Sequence, residues 1–252
     1  MELIKRTGVA LAAVATLGVG TARADLIYSG IQTIGGTGLG SVATVLTLQN
    51  TSPSNIETGC VGRNAGGDFI GATAVGACVQ GTAPDVKTGA SQTQTQLLGD
   101  IGITDASQVS FLLNAAEPNG NSLTLNSLSV TFYNAAGTAI FTATCNALCL
   151  QQANADMALG TQVGTGNSGF TFKLDAAQAA AVNLLAGTPD TYRVGISTRL
   201  GDADPDNAEA GNETYFVYNN LTAVTTPEPS TTALMATGFI GLVGFVRRRR
   251  RA

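Results

Sequence analysis

Residues 122–132, SLTLNSLSVTF, set Leu123 and Leu125, and then Leu128, Val130 and Phe132, at alternate positions. Side chains two apart on an extended chain share a face, so this is the pattern of a strand with a buried side. The phase slips at Asn126-Ser127, which predicts a bulge or a turn. Working outward, Asn134-Ala-Ala-Gly137 predicts a hairpin into a second strand over 138–144. Residues 41–48 (SVATVLTL) alternate in the same way, and 169–174, 191–198 and 213–218 read as further strands. Residues 88–96 are polar and strand-compatible, an edge strand or a loop. One helix stands out: Asp175 is a good N-cap, 176–185 are strong helix formers, and Gly187 sits where a C-terminal glycine belongs. Weaker helices are expected near Thr104 or Asp105 and over 151–159. Many strands and few helices predict a mainly β fold, an antiparallel β-sandwich with one or two short helices.

That fold occupies only the middle of the 252 residues. Residues 1–24 read as a signal peptide. Lys5 and Arg6 precede an uncharged apolar run, and Ala22-Arg23-Ala24 supplies the small residues a signal peptidase accepts. Residues 25–226 form the exported domain. Fifteen acids face five bases there, so its charge is near −10 although the whole chain carries −4. Such a surface repels phosphate, which argues against nucleic acid as a partner. Divalent cations and basic or neutral surfaces suit it better.

Four cysteines, Cys60, Cys78, Cys145 and Cys149, fall in this domain. An even number in an oxidising compartment points to disulfides. Of the three pairings, Cys60–Cys78 with Cys145–Cys149 closes the shortest loops at the least entropy cost. A four-thiolate metal site lacks C-x-x-C spacing.

At the other end, Pro227-Glu228-Pro229 precedes a hydrophobic helix predicted over 230–246, and Arg247, Arg248, Arg249, Arg250 and Arg251 follow. The uncharged stretch 231–246 rises only about 24 Å as a helix, against a hydrocarbon core of about 30 Å. Snorkelling arginine stems extend it, and the positive-inside rule leaves the arginines in the cytoplasm. This order resembles the PEP-CTERM sorting signal of Gram-negative bacteria, over residues 227–252. The resemblance implies recognition by an exosortase, an inner-membrane intermediate, and release to the cell surface or the extracellular space. It also implies a link to extracellular polysaccharide and biofilm matrix. The two prolines hold the segment extended, the form a protease-like cleft binds. Residues 170–185 and 213–216 are similar to segments of PEP-CTERM ectodomains, which carry no assigned chemistry.

Candidate chemistry is sparse. Asp202, Asp204, Asp206 and Glu213 fall at positions 1, 3, 5 and 12 of a calcium-loop pattern. Asn207 replaces the usual glycine, Pro205 interrupts the loop, and the flanks read as strands. The alternative is a solvated hairpin loop joining strands 191–198 and 213–218. The sequence holds no histidine, so neither a Ser-His-Asp nor a Cys-His arrangement exists in it. Glu57, Asp68 and Asp85 are candidate glycosidase carboxylates by type alone. Three functions follow from this reading. The first is a non-catalytic structural or interaction protein; the others are a calcium-dependent glycan-binding module and a secreted hydrolase.

Overall fold

The computed structural model describes residues 25–35, 38–50, 55–74, 77–89, 91–115, 122–160, 167–202, 208 and 211–221. Their strands are β1 (Asp25–Thr33), β2 (Ala43–Leu48), β3 (Glu57–Asn64), β4 (Gly67–Ala74), β5 (Ala77–Gln80) and β6 (Gln96–Leu97). They continue as β7 (Val109–Ala115), β8 (Leu125–Tyr133), β9 (Ala139–Cys145), β10 (Ser168–Leu174), β11 (Arg193–Leu200) and β12 (Glu213–Asn219). Two helices, α1 (Ala147–Met157) and α2 (Ala176–Asn183), accompany them. The fold is mainly β, as the sequence predicts.

The expected two-sheet sandwich is instead one curled sheet. Its order is β2-β12-β7-β10-β1-β9-β8-β11-β3-β4-β5, with β6 pairing to β11. Neighbours are antiparallel except β1 and β9, which pair in parallel over two residues only. That short junction is the corner. β1 is also bulged between Tyr28 and Ile31, where Gly30 takes a φ of 90°. The positive φ is available to glycine and lets the strand turn. The two halves of the sheet then face each other over one apolar core, which includes Phe111, Phe132, Phe170, Phe172, Tyr192 and Tyr215.

The slip at Asn126 is a bulge. Arg199 pairs with Ser127 but Leu200 pairs with Leu125, so Asn126 is the extra residue. Its side-chain amide donates to the Gly201 carbonyl. Asn134 closes the β8–β9 hairpin by accepting from Ala136 N and Thr138 N, both at 3.0 Å. Across that hairpin Ser129 meets Thr144 at 3.2 Å and Thr131 meets Thr142 at 3.1 Å. The facing hydroxyls satisfy each other in directly opposed pairs.

The strong helix forms as α2, with a capping box between Asp175 and Gln178. The weak helix near Asp105 is a single 3-10 turn, Ala106–Gln108, capped by Asp105. The third begins earlier than expected, because Asn146 accepts from Cys149 N at 3.0 Å and starts α1. Of the stretch 88–96, residues 88–89 and 91–95 are loop and Gln96 begins the two-residue β6. Together with residues 85–87 before it, this segment covers the outer edge of β2: Gln49 N donates to Asp85 O, Lys87 N to Thr47 O, and Gln94 N to Val45 O. An uncovered edge invites pairing with another chain, and this arrangement blunts it.

Both disulfides follow the short-loop pairing, Cys60–Cys78 and Cys145–Cys149. The first fastens β3 to β5, and the second fastens the end of β9 to the first turn of α1. Among the described residues no helix is long and apolar enough to cross a membrane. The segments 1–24 and 230–246 lie outside the described residues.

Candidate functional site

Residues 191–198 and 213–218 are not partners in a hairpin. β11 lies between β8 and β3, while β12 lies between β2 and β7. The connection between them therefore crosses from one wall of the curled sheet to the other. Its first foot is built by register: Leu200, the last residue of β11, pairs with Glu57, the first of β3. Gly201 follows with a φ of 82°, and a Cβ there would collide with the Asn55 carbonyl. The second foot is Glu213, which pairs with Leu48 of β2 and Ala115 of β7.

Of the calcium-loop candidates, Asp204 and Asp206 lie outside the described residues, and Asp202 stands just past the first foot. Glu213 has 0% of its surface exposed. It faces Glu57, which is buried to the same degree. Asn50 N donates to Glu57 Oε1. Burial pushes the Glu57 carboxyl up from its ordinary range, the contacts with Glu213 and Asn50 N pull it down, and the charge of Asp85 raises it again. Tyr215 lies two residues beyond Glu213 on the same face of β12. Its hydroxyl is pushed up by burial, with further upward contributions from the Glu213 and Glu57 charges. The pair thus sits in a low-dielectric pocket where a charge is costly unless compensated.

The carboxylates singled out by type, Glu57, Asp68 and Asp85, do not form one constellation. Asp68 pairs with Arg63 at 2.6 Å and accepts from Thr95 N at 2.8 Å and Thr95 Oγ1 at 2.6 Å. It ties β4 to the segment before β6. Asp85 accepts from Thr58 N at 2.9 Å, beside Glu57. Glu57 meets Glu213, a pairing that no sequence spacing announces, because 156 residues separate them. Both are closed off from solvent, which leaves no face on which a sugar could rest. Among the described residues no cluster of three or more His, Cys, Asp or Glu side chains is arranged to hold a metal ion.

A separate groove of about 390 Å³ opens on the outer side of the other wall. Arg63, Phe69, Gln80, Thr131 and Tyr133 line it. Its one cationic side chain is held by the Arg63–Asp68 pair.

Pro227, Glu228, Pro229 and the five arginines lie outside the described residues, so the sorting reading rests on sequence. A family model for the PEP-CTERM protein-sorting motif matches residues 225–251. No curated protein and no solved structure matches the chain. The motif marks an exported protein that passes through the membrane and is processed by an exosortase. Pro227-Glu228-Pro229, the hydrophobic stretch and the arginine cluster behind it thus make up a PEP-CTERM protein-sorting motif.

Proposed function

We propose that this is a non-catalytic surface or matrix protein, delivered by exosortase processing to a place where extracellular polysaccharide accumulates. The sorting motif at 225–251 carries the reading. Two disulfides support it, since such bonds persist in oxidising compartments. The absence of histidine from the sequence supports a structural or interaction role over nucleophilic chemistry. The acidic balance of residues 25–226 fits partners that are neutral, basic or cationic.

The test is a Pro227→Ala, Glu228→Ala double variant expressed in the native host. The reading expects an unprocessed chain retained in the inner membrane. Unchanged mass and unchanged surface localisation in that variant would contradict it.

A further inference from the structure

The groove on the outer side of the sheet is built by strand alternation. Val61, Val130 and Ala143 lie in the core, so Gly62, Thr131 and Thr142, one position along each strand, face outward. Gly62 pairs with Phe69 across β3 and β4, and Thr131 with Thr142 across β8 and β9. The missing side chain of Gly62 leaves the space where the Phe69 ring and the Tyr133 hydroxyl converge. Gly71 lies on the same face and leaves room for the Val79 carbonyl, so β5 leans over the groove. The Cys60–Cys78 bridge fastens β5 there, and its Gln80 forms part of the wall. At about 390 Å³ the groove falls within the usual range of small-molecule clefts, about 300–1,000 Å³.

We propose that this groove binds a short stretch of a neutral polysaccharide, with a sugar ring against Phe69 and its hydroxyls held by Asn64, Gln80 and Arg63. The ligand class follows by elimination. β3 and β8 are each paired on both sides, so the floor offers a peptide no open strand edge to extend. Arg63 is paired with Asp68 at 2.6 Å and residues 25–226 are acidic, which disfavours phosphate and other anions. No carboxylate among the described residues lines the groove, so a cation finds no ligand. A purely apolar ligand would strip water from the carboxamides and the guanidinium without replacing it. What remains is neutral and rich in hydroxyls. A hydroxyl donates and accepts, and so does a carboxamide. Gly66 N donates to Asn64 Oδ1 at 2.8 Å and sets that carboxamide, whose Nδ2 stands 3.4 Å from Gln80 Oε1. Both carboxamides are exposed at the rim, and Phe69 is half-buried beside them. A guanidinium carries five N–H groups, so Arg63 keeps donors beyond those on Asp68. Phe69 supplies the apolar surface for the C–H face of a sugar ring. The proposal rests on the interaction role proposed above and names its ligand class; the sorting signal has no part in it, so the two tests fail separately.

The experiment titrates the full chain, held in a sugar-free detergent, with cellohexaose, maltohexaose and mannohexaose, followed by saturation-transfer NMR and calorimetry. An oligogalacturonate and a Gly-Ser peptide serve as anionic and peptide comparisons. At least one neutral probe should bind with a dissociation constant on the order of 10⁻³ M, because one ring face and a few hydrogen bonds must offset the cost of ordering the sugar. Phe69→Ala should weaken that binding about tenfold, and Asn64→Ala and Gln80→Ala about threefold each, with melting temperatures unchanged for the two exposed carboxamides. The proposal is overturned if none of the three neutral probes binds at about ten times that constant. Binding of the oligogalacturonate or the peptide in their place also overturns it, by naming another ligand class. Should Phe69→Ala fail to fold, the Asn64→Ala, Gln80→Ala double variant decides: binding equal to wild type there would place the saccharide elsewhere and overturn it.

Discussion

Thr198 Oγ1 and Tyr215 Oη meet at 2.7 Å inside the core, joining β11 on one wall to β12 on the other. Thr198 also donates to the Ser127 carbonyl at 2.9 Å. Both residues have 0% of their surface exposed. The contact is a polar rivet across the apolar interior, close to the Glu57–Glu213 pair. Replacing Tyr215 by Phe removes one buried hydroxyl and keeps the ring. Because Thr198 retains Ser127, the loss should be about 1 kcal/mol in urea unfolding, with an unchanged slope. A neutral result would mean that the hydroxyl bond adds nothing to the packing of the ring.

The disulfides should differ in worth. In the chain-entropy account, the Cys60–Cys78 bridge, separated by 18 residues, stabilises by about 3 kcal/mol. The Cys145–Cys149 bridge, separated by 4, gives about 2 kcal/mol. Paired Cys→Ser variants followed by thermal melting check the order. A larger loss from the shorter loop would show that its fastening of β9 to α1 outweighs loop closure.

Gly71 has no room for a side chain. A Cβ there would collide with the Val79 carbonyl across the β4–β5 pair. Gly71→Ala should therefore pry β5 away and expose the Cys60–Cys78 bridge to reductant. The measurement is the rate of thiol release under dithiothreitol, expected to rise at least tenfold. An unchanged rate would mean that β5 is not held by its pairing to β4.

Asp105 gives a signed pH effect. Its carboxylate accepts from Ser107 Oγ at 2.6 Å, Ser107 N at 2.8 Å and Asn183 Nδ2 at 3.0 Å. These bonds, the Ser107 hydroxyl foremost, hold its carboxyl below the usual range. A depressed folded value means stability that is present above the unfolded value of about 3.9 and is lost as pH falls through the folded value. The advantage of wild type over Asp105→Ala should thus shrink below about pH 4. The group is exposed, so the acid-sensitive part should stay under about 1 kcal/mol. A difference that is flat down to pH 2 would contradict the assignment.

Much of the fold was legible in alternation. The β8 stretch, its slip at Asn126, the 134–137 hairpin and the Asp175 cap all follow from local chemistry. The strands that escaped did so for physical reasons. β7, VSFLLNA, is apolar on both faces, because Leu112 packs in a small outer cluster with Ile34, Phe216 and Tyr218 while Phe111 and Leu113 face the core. That double burial erases the period of two. β3 and β4 are rich in glycine, which strands ordinarily avoid, and here glycine permits close approach: a Cβ on Gly62 would stand 2.6 Å from the Phe69 ring. The site was half legible. Glu213 stood out through its spacing from Asp202, but Glu57 joins it only through the crossing of the sheet. The hairpin expected between 191–198 and 213–218 rested on sequence neighbours pairing, a tendency that a curled sheet overrides.

The most direct test of export and sorting is the intact mass of the protein recovered from its native host. The account predicts a chain lacking residues 1–24, shortened near Pro227-Glu228-Pro229, and carrying four fewer hydrogens than the reduced form because both disulfides are closed. A full-length chain with all four thiols free would contradict it.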